Sequence, residues 1–357
     1  MRDPIENVKP QVRALRPYSL RFEDARIKLN QNENPWDTPT EIKRETFRRL
    51  ENRPWSRYPE FIASRLIGDL GEFSNWTADG TLVGNGSNEL IQAVLMVSVS
   101  DGKRVLINEP TFSLYRQVTT ILGGEIVSVP LTAALTYDVE AMRTAIESSK
   151  PDVVIICSPN NPTGCLIGKD DLVSLLETTD GLIVVDEAYF EFSGETVLPL
   201  IEQHRNLVVL RTFSKALAMA ALRIGYLLTT PELAREISKA LLPYNLNVFS
   251  QTAAEVAMEN FESSYRPLVK AILAERDRVF LELGRIRGLK PVRSSANFIV
   301  VRSAVDPHLV FDKLLQRGIL IRDVTAYPML KDYFRVSIGS PEENDLLLKS
   351  LREIVAA

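Results

Sequence analysis

At 357 residues the chain is longer than the roughly 250 to 300 residues at which a single hydrophobic core stops growing, so two domains are expected. A composition of 45% hydrophobic and 25% charged residues excludes a disordered or fibrous protein, and a net charge of −4 provides no basic field to hold a nucleic acid. No segment reads as a signal peptide or a membrane span, which points to a cytoplasmic protein. Two cysteines, Cys157 and Cys165, and two histidines, His204 and His308, are too few soft ligands for a structural zinc site.

In chain order, the first 38 residues read as an arm that joins a smaller domain, residues 39–264 as a large domain and residues 265–357 as a small one. Between about Thr81 and Thr230, short β-branched runs alternate with helical patterns, the signature of βαβ units and a sheet covered on both faces. The spacing predicts strands over Val105–Asn108, Val153–Cys157, Leu182–Asp186, Val208–Arg211 and Ile224–Leu228. Beyond Tyr265 a long charged helical pattern leads to a strand at Ala296–Val301 and a helix near Val310–Arg317. Further strands are expected at Gly318–Arg322 and Phe334–Ile338. No repeat, low-complexity tract or long linker separates the domains.

Ligands of open α/β sheets bind beyond the strand ends, so the polar strand exits are where chemistry is expected. Lys215 follows the apolar run 207–212 and precedes a stretch of small residues. Desolvation there favours the neutral amine, and Lys215 is the candidate nucleophile; taken alone, a lysine is more often a solvated surface residue. Asp186 closes the strand 182–186, where a carboxylate is costly unless a cation or donors compensate it; the plainer reading is a cap on the next element. Residues Gly86 to Glu89 precede an apolar helical run, which puts Ser87 or Asn88 at a helix N-cap and offers backbone amides to a phosphate; ordinary capping is the alternative. Ser214 and Arg223 can add a hydroxyl and a guanidinium to the same anion. The stiff turn Cys157–Gly164, with two prolines and a glycine around Asn160 and Asn161, holds an amide side chain at low entropic cost. Phe112 can stack on a planar ring, although an isolated phenylalanine is more often core.

Four segments, Gly84-Asn85-Gly86-Ser87-Asn88-Glu89, Ser158-Pro159-Asn160-Asn161-Pro162-Thr163-Gly164, Val185-Asp186-Glu187-Ala188-Tyr189 and Thr212-Phe213-Ser214-Lys215-Ala216, in this order and spacing resemble the fold-type I pyridoxal 5′-phosphate (PLP) aminotransferases. The segments Lys28-Leu29-Asn30-Gln31-Asn32-Glu33-Asn34-Pro35, Arg57-Tyr58-Pro59 and Phe334-Arg335-Val336-Ser337-Ile338-Gly339 resemble the histidinol-phosphate branch of that family. The resemblance implies a large three-layer αβα domain with a mainly parallel sheet, a smaller α/β domain, a homodimer, and amino transfer between histidinol phosphate and 2-oxoglutarate. It implies that Lys215 carries PLP as a Schiff base and shuttles a proton, that Asp186 partners the pyridinium, and that Asn161 and Tyr189 donate to the ring hydroxyl. Ser87, Asn88, Ser214 and Arg223 would hold the cofactor phosphate, with Tyr58 reaching it from the neighbouring subunit and Phe112 lying over the ring. Arg335 would take the carboxylate of glutamate and, with Arg322, Tyr18 and Asn34, bind the second substrate; bidentate arginine suits both anions.

The sequence departs from the family pattern at Leu217, where an aromatic is common, at Ala218 and Ala221, where glycines are frequent, and at Phe112, which replaces a common tyrosine. These positions bear on substrate more than on cofactor. The rival activities are an aromatic aminotransferase, which needs no second anion site, a threonine-phosphate decarboxylase, and a non-catalytic PLP-binding regulator, for whose nucleic-acid module the chain has neither spare length nor a basic segment.

Overall fold

The structure is a computed structural model that describes residues 3–17 and 23–356. Among the described residues twelve strands form two sheets. In chain order they are β1 (Ile27–Leu29), β2 (Thr81–Gly84), β3 (Arg104–Glu109), β4 (Glu125–Pro130), β5 (Val153–Cys157), β6 (Leu182–Asp186), β7 (Leu207–Thr212), β8 (Gly225–Leu228), β9 (Leu289–Pro291), β10 (Phe298–Ser303), β11 (Ile319–Asp323) and β12 (Tyr333–Ser337).

The larger sheet has the order β2-β8-β7-β6-β5-β3-β4. Strands β3 to β7 pair in parallel, and β8 runs antiparallel to both of its neighbours. Every residue of β5, β7 and β8 is buried, as both-face coverage by helices requires. Side-chain alternation divides the core in two: Ile183 and Val185 of β6 and Leu207 and Val209 of β7 face one apolar cluster, while Val184, Val208 and Leu210 face the other. This is the three-layer, mainly parallel architecture that the alternating pattern implies.

The smaller sheet has the order β1-β11-β12-β10-β9 and is antiparallel except that β1 lies parallel to β11. A 19-residue helix, Arg266–Gly284, precedes β9 and follows a single π turn at Phe261–Tyr265. Four strands escape the reading of apolar runs. β1 and β9 are three residues long, β2 is four, and β4 is an edge strand with only one buried residue, so none presents a continuous apolar run. Expected strand Ala296–Val301 lies two residues further on, at β10, because Asn297 is turned to the N-terminal segment, where its side chain donates to Asn32 O.

Candidate active site

The C-terminal ends of β5, β6 and β7 and the exits of β1, β2, β11 and β12 converge on a cavity of about 510 Å³. It is lined by Ser87, Asn88, Phe112, Asn161, Asp186, Tyr189, Ser214, Lys215, Arg223, Arg322 and Arg335, so eleven of the residues singled out in the sequence meet at one place.

Lys215 lies just past the end of β7, and its Nζ donates to the carbonyl of Gln31 at 2.9 Å. Burial, reinforced by the positive charges of Arg335 and Arg223, brings its amine down from 10.5 to about 8, against the opposing pull of Glu33 and Asp186. Roughly a tenth of the amine is therefore neutral at pH 7, far more than for an ordinary lysine. Asp186, at the end of β6, is 3% exposed. Its Oδ1 accepts from the Ala188 N–H at 3.0 Å and its Oδ2 from the Tyr115 hydroxyl at 2.7 Å. Burial raises its carboxyl above the usual range even though both donors lower it. The carboxylate thus caps the following turn, as the plainer reading had it, and also faces the cavity.

At the other end, the helix Ser87–Ser98 opens toward the same cavity. Its N-cap is Gly86, not Ser87 or Asn88 as the sequence suggested: Gly86 adopts φ 81°, a left-handed conformation open to glycine, and Ser87 begins the helix. No side chain caps this terminus, which leaves its amides for another acceptor. Arg223 Nη1 donates to Ser214 Oγ at 3.2 Å, and Thr212 Oγ1 donates to the same oxygen at 3.0 Å. The cradle depends on missing side chains. A Cβ on Gly225 would stand 2.3 Å from the Ser87 nitrogen, and one on Gly86 would stand 2.4 Å from Arg223 Nη2.

Between these ends, the Tyr189 hydroxyl accepts from Asn32 Nδ2 at 3.0 Å, and Asn32 is itself held by Ser337 through bonds of 2.9 and 3.1 Å. Burial pushes the Tyr189 hydroxyl well up, so it remains a donor. Arg335 reaches Asn161 Oδ1 at 2.5 Å and the carbonyl of Asn30 at 2.7 Å. Asn160 fastens the turn carrying Asn161 to the loop carrying Phe112: its Nδ2 donates to Pro110 O at 2.9 Å, and its Oδ1 accepts from Thr111 Oγ1 at 2.8 Å. Arg322 and Arg335 are direct partners in the β11/β12 register, so both guanidinium groups leave the small sheet on one face. Like charges placed directly opposite each other oppose folding unless an anion comes between them. Among the described residues the Arg322 guanidinium makes no hydrogen bond or ion pair.

Two expected residues stand elsewhere. Asn34 does not line the cavity; its Nδ2 donates to Ala216 O at 3.1 Å and its Oδ1 accepts from the Trp36 N–H, so it braces the lysine segment from outside. Tyr58 is 80% exposed and stacks on Tyr244 with ring centroids 4.5 Å apart, outside the cavity of its own chain. Tyr18 lies outside the described residues. Conversely, Tyr115, Asn32 and Tyr327 belong to the site without having been singled out. Tyr115 sits three residues after Phe112, at the start of the helix Leu114–Leu122, a nearness that could have been noticed but that reads equally as core.

A mainly parallel sheet with a lysine past one central strand, a buried carboxylate at the end of the next and an anion cradle at a helix N-terminus defines a group-transfer enzyme acting on amines. The chain belongs to the class I and II aminotransferases, whose family model matches residues 25–351. It is 40% identical to the histidinol-phosphate aminotransferase of Chlorobaculum parvum, over 92% of this chain and 93% of that protein, and 39% identical to that of Chlorobium phaeovibrioides, over 99% and 98%. Among solved structures it is similar to the histidinol-phosphate aminotransferase from Sinorhizobium meliloti in complex with pyridoxal-5′-phosphate, with a TM-score of 0.87 and 24% identity over 98% of both chains. Among the described residues no helix is long and apolar enough to cross a membrane.

Proposed function

We propose that the protein is a PLP-dependent aminotransferase that exchanges an amino group between L-histidinol phosphate and 2-oxoglutarate, giving imidazole acetol phosphate and L-glutamate in histidine biosynthesis. The observation that carries the substrate reading is the Arg322/Arg335 pair, two cations in register that line the same cavity as Lys215 and Asp186. The names of relatives near 40% identity along the whole chain agree with it.

The residues present fit PLP. The buried Asp186 carboxylate, costly without a cation, suits a protonated pyridine nitrogen; the uncapped helix at Ser87, with Ser214 and Arg223, suits a phosphate monoester; Asn161 and Tyr189 suit a ring hydroxyl. When bound, PLP supplies an aldehyde that takes up the amine and a ring that accepts electrons from the substrate Cα. Around it, Lys215 is the residue that would hold the group, and its amine would move the proton at the substrate Cα. The lowered proton affinity of its amine makes it a competent base near neutral pH. Asp186 keeps the ring nitrogen protonated. Phe112 would pack against the bound group, Arg335 would bind the carboxylate of glutamate, and Arg322 with Arg335 would bind the phosphate of histidinol phosphate.

Tyr58, with Phe61, Ile62, Leu242 and Tyr244, forms an exposed apolar patch, and we assign it to contact with a second copy of the chain, in which Tyr58 reaches the partner's cofactor phosphate. The test of function is a single-turnover titration of the PLP-loaded enzyme, followed by cofactor absorbance, with histidinol phosphate, phenylalanine and threonine phosphate. Conversion at far lower histidinol phosphate than phenylalanine is expected. A preference for phenylalanine assigns an aromatic aminotransferase, and carbon dioxide release from threonine phosphate assigns a decarboxylase.

A further inference from the structure

The small-domain wall of the cavity carries one more polar group. Tyr327 lies in the turn that follows β11, five residues after Arg322, and both line the main cavity. The turn is built to fix it. The Tyr327 N–H donates to Val324 O at 3.0 Å and its carbonyl accepts from the Leu330 N–H at 3.2 Å. Its ring packs on the buried cluster of Leu135, Val300, Val324 and Leu330. Tyr327 and Phe112 also line a second, adjoining cavity of about 340 Å³, so these two rings, one from each side, stand at the neck between the two spaces.

Three hydroxyls of the cavity are already engaged. The Tyr115 hydroxyl is held by Asp186, Ser214 takes part in the Arg223 cradle, and the Tyr189 hydroxyl is held against Asn32. Phe112 has no donor to offer. Among the described residues neither the Tyr327 hydroxyl nor the Arg322 guanidinium has a hydrogen-bond partner. A neutral O–H donor and a permanent cation on the same wall, both unpartnered, make a set suited to a tetrahedral dianion, which offers three acceptor oxygens.

We infer that Tyr327 is a specificity-determining residue whose hydroxyl donates to the phosphate monoester of the amino substrate beside Arg322, so that this residue separates phosphorylated from unphosphorylated amines. This rests on the functional reading above. Tyr327 takes no part in binding the cofactor or moving a proton; its contribution is confined to the substrate's far end.

The experiment compares wild type with Tyr327→Phe, which keeps the ring and its packing, on three amino donors: histidinol phosphate, histidinol and L-glutamate. A hydrogen bond to a charged acceptor implies a fall of about ten- to a hundredfold in kcat/KM for histidinol phosphate, carried by KM. The constants for histidinol and glutamate are expected to stay within about twofold, so the preference for the phosphorylated amine collapses by the same factor. An unchanged preference, or equal losses on histidinol and histidinol phosphate, overturns the inference. A wild-type enzyme that turns over glutamate but not histidinol phosphate sinks the functional reading itself and this inference with it. A normal wild type with an unchanged Tyr327→Phe ratio sinks only the role of Tyr327.

Discussion

Replacing Lys215 with methionine should make the cofactor-free protein more stable at neutral pH, not less. In the folded chain the Lys215 amine titrates near 8, against 10.5 for an ordinary lysine, with burial as the largest cause. At about 1.4 kcal/mol for each tenfold change in proton affinity, holding that amine in the cavity costs the folded state up to roughly 3 kcal/mol at pH 7. The side chain is only half-buried and its cavity is open to water, so screening brings this to roughly 1 to 3 kcal/mol. Methionine also abandons the bond to Gln31 O, a loss of about 1 kcal/mol. A net gain of up to about 2 kcal/mol remains. Because the folded protein holds this proton less tightly than the unfolded chain does, the penalty is full below pH 8 and fades as pH rises toward 10.5. Urea unfolding of both cofactor-free proteins at pH 7 and pH 10 measures this: the variant's advantage should be present at pH 7 and largely gone at pH 10. A variant less stable than wild type at pH 7, or an advantage that does not change with pH, refutes the account.

Tyr115→Phe removes the buried donor to Asp186 Oδ2, so the carboxyl should hold its proton more tightly and bind a ring cation less well; PLP affinity, measured by reconstituting cofactor-free enzyme, should fall about tenfold or more. Unchanged affinity would refute it. Gly225→Ala forces the helix at Ser87 away from β8, and a loss of roughly 1 to 3 kcal/mol in urea unfolding together with weaker binding of inorganic phosphate is expected. On the opposite face of the sheet, Glu187→Gln leaves Arg211, 2% exposed and bonded to Glu187 at 2.9 Å, without its counter-ion; a destabilisation of about 3 to 5 kcal/mol should appear in the same assay.

Lys215 and Asp186 are legible in the sequence because each interrupts or ends an apolar strand, where a polar group has to be explained. The parallel sheet is legible because its central strands are buried on both faces and read as unbroken apolar runs. Edge strand β4 is not, since half its surface faces water, and β1 is too short to show any period. The helix cap is misread by one residue because the sequence cannot reveal that Gly86 takes the left-handed conformation there. Tyr115 remains hidden because its hydroxyl meets Asp186 across 71 positions of chain, and an aromatic residue on an amphipathic helix otherwise signals core. The opposition of Arg322 and Arg335 exists only through the register of β11 on β12, which no local pattern encodes. Asn34 shows the reverse error: its place beside Asn32 in a run of amides suggests the cavity, but backbone direction turns it toward Ala216.

The pairing of β1 with β11 also bears on how the protein comes into being at the ribosome. Ile27 finds its partner, Ile319, only after about 290 further residues have been synthesised, a closure of very high contact order. The residues that follow β1, Asn30 to Glu33, form one wall of the catalytic cavity, and Gln31 holds the lysine. The large sheet can fold while translation continues, yet its lysine stays without this wall until the last strands emerge. A polypeptide that stops before β11 therefore carries the reactive amine but not the chamber that confines it, and a complete site reports that translation has passed β12.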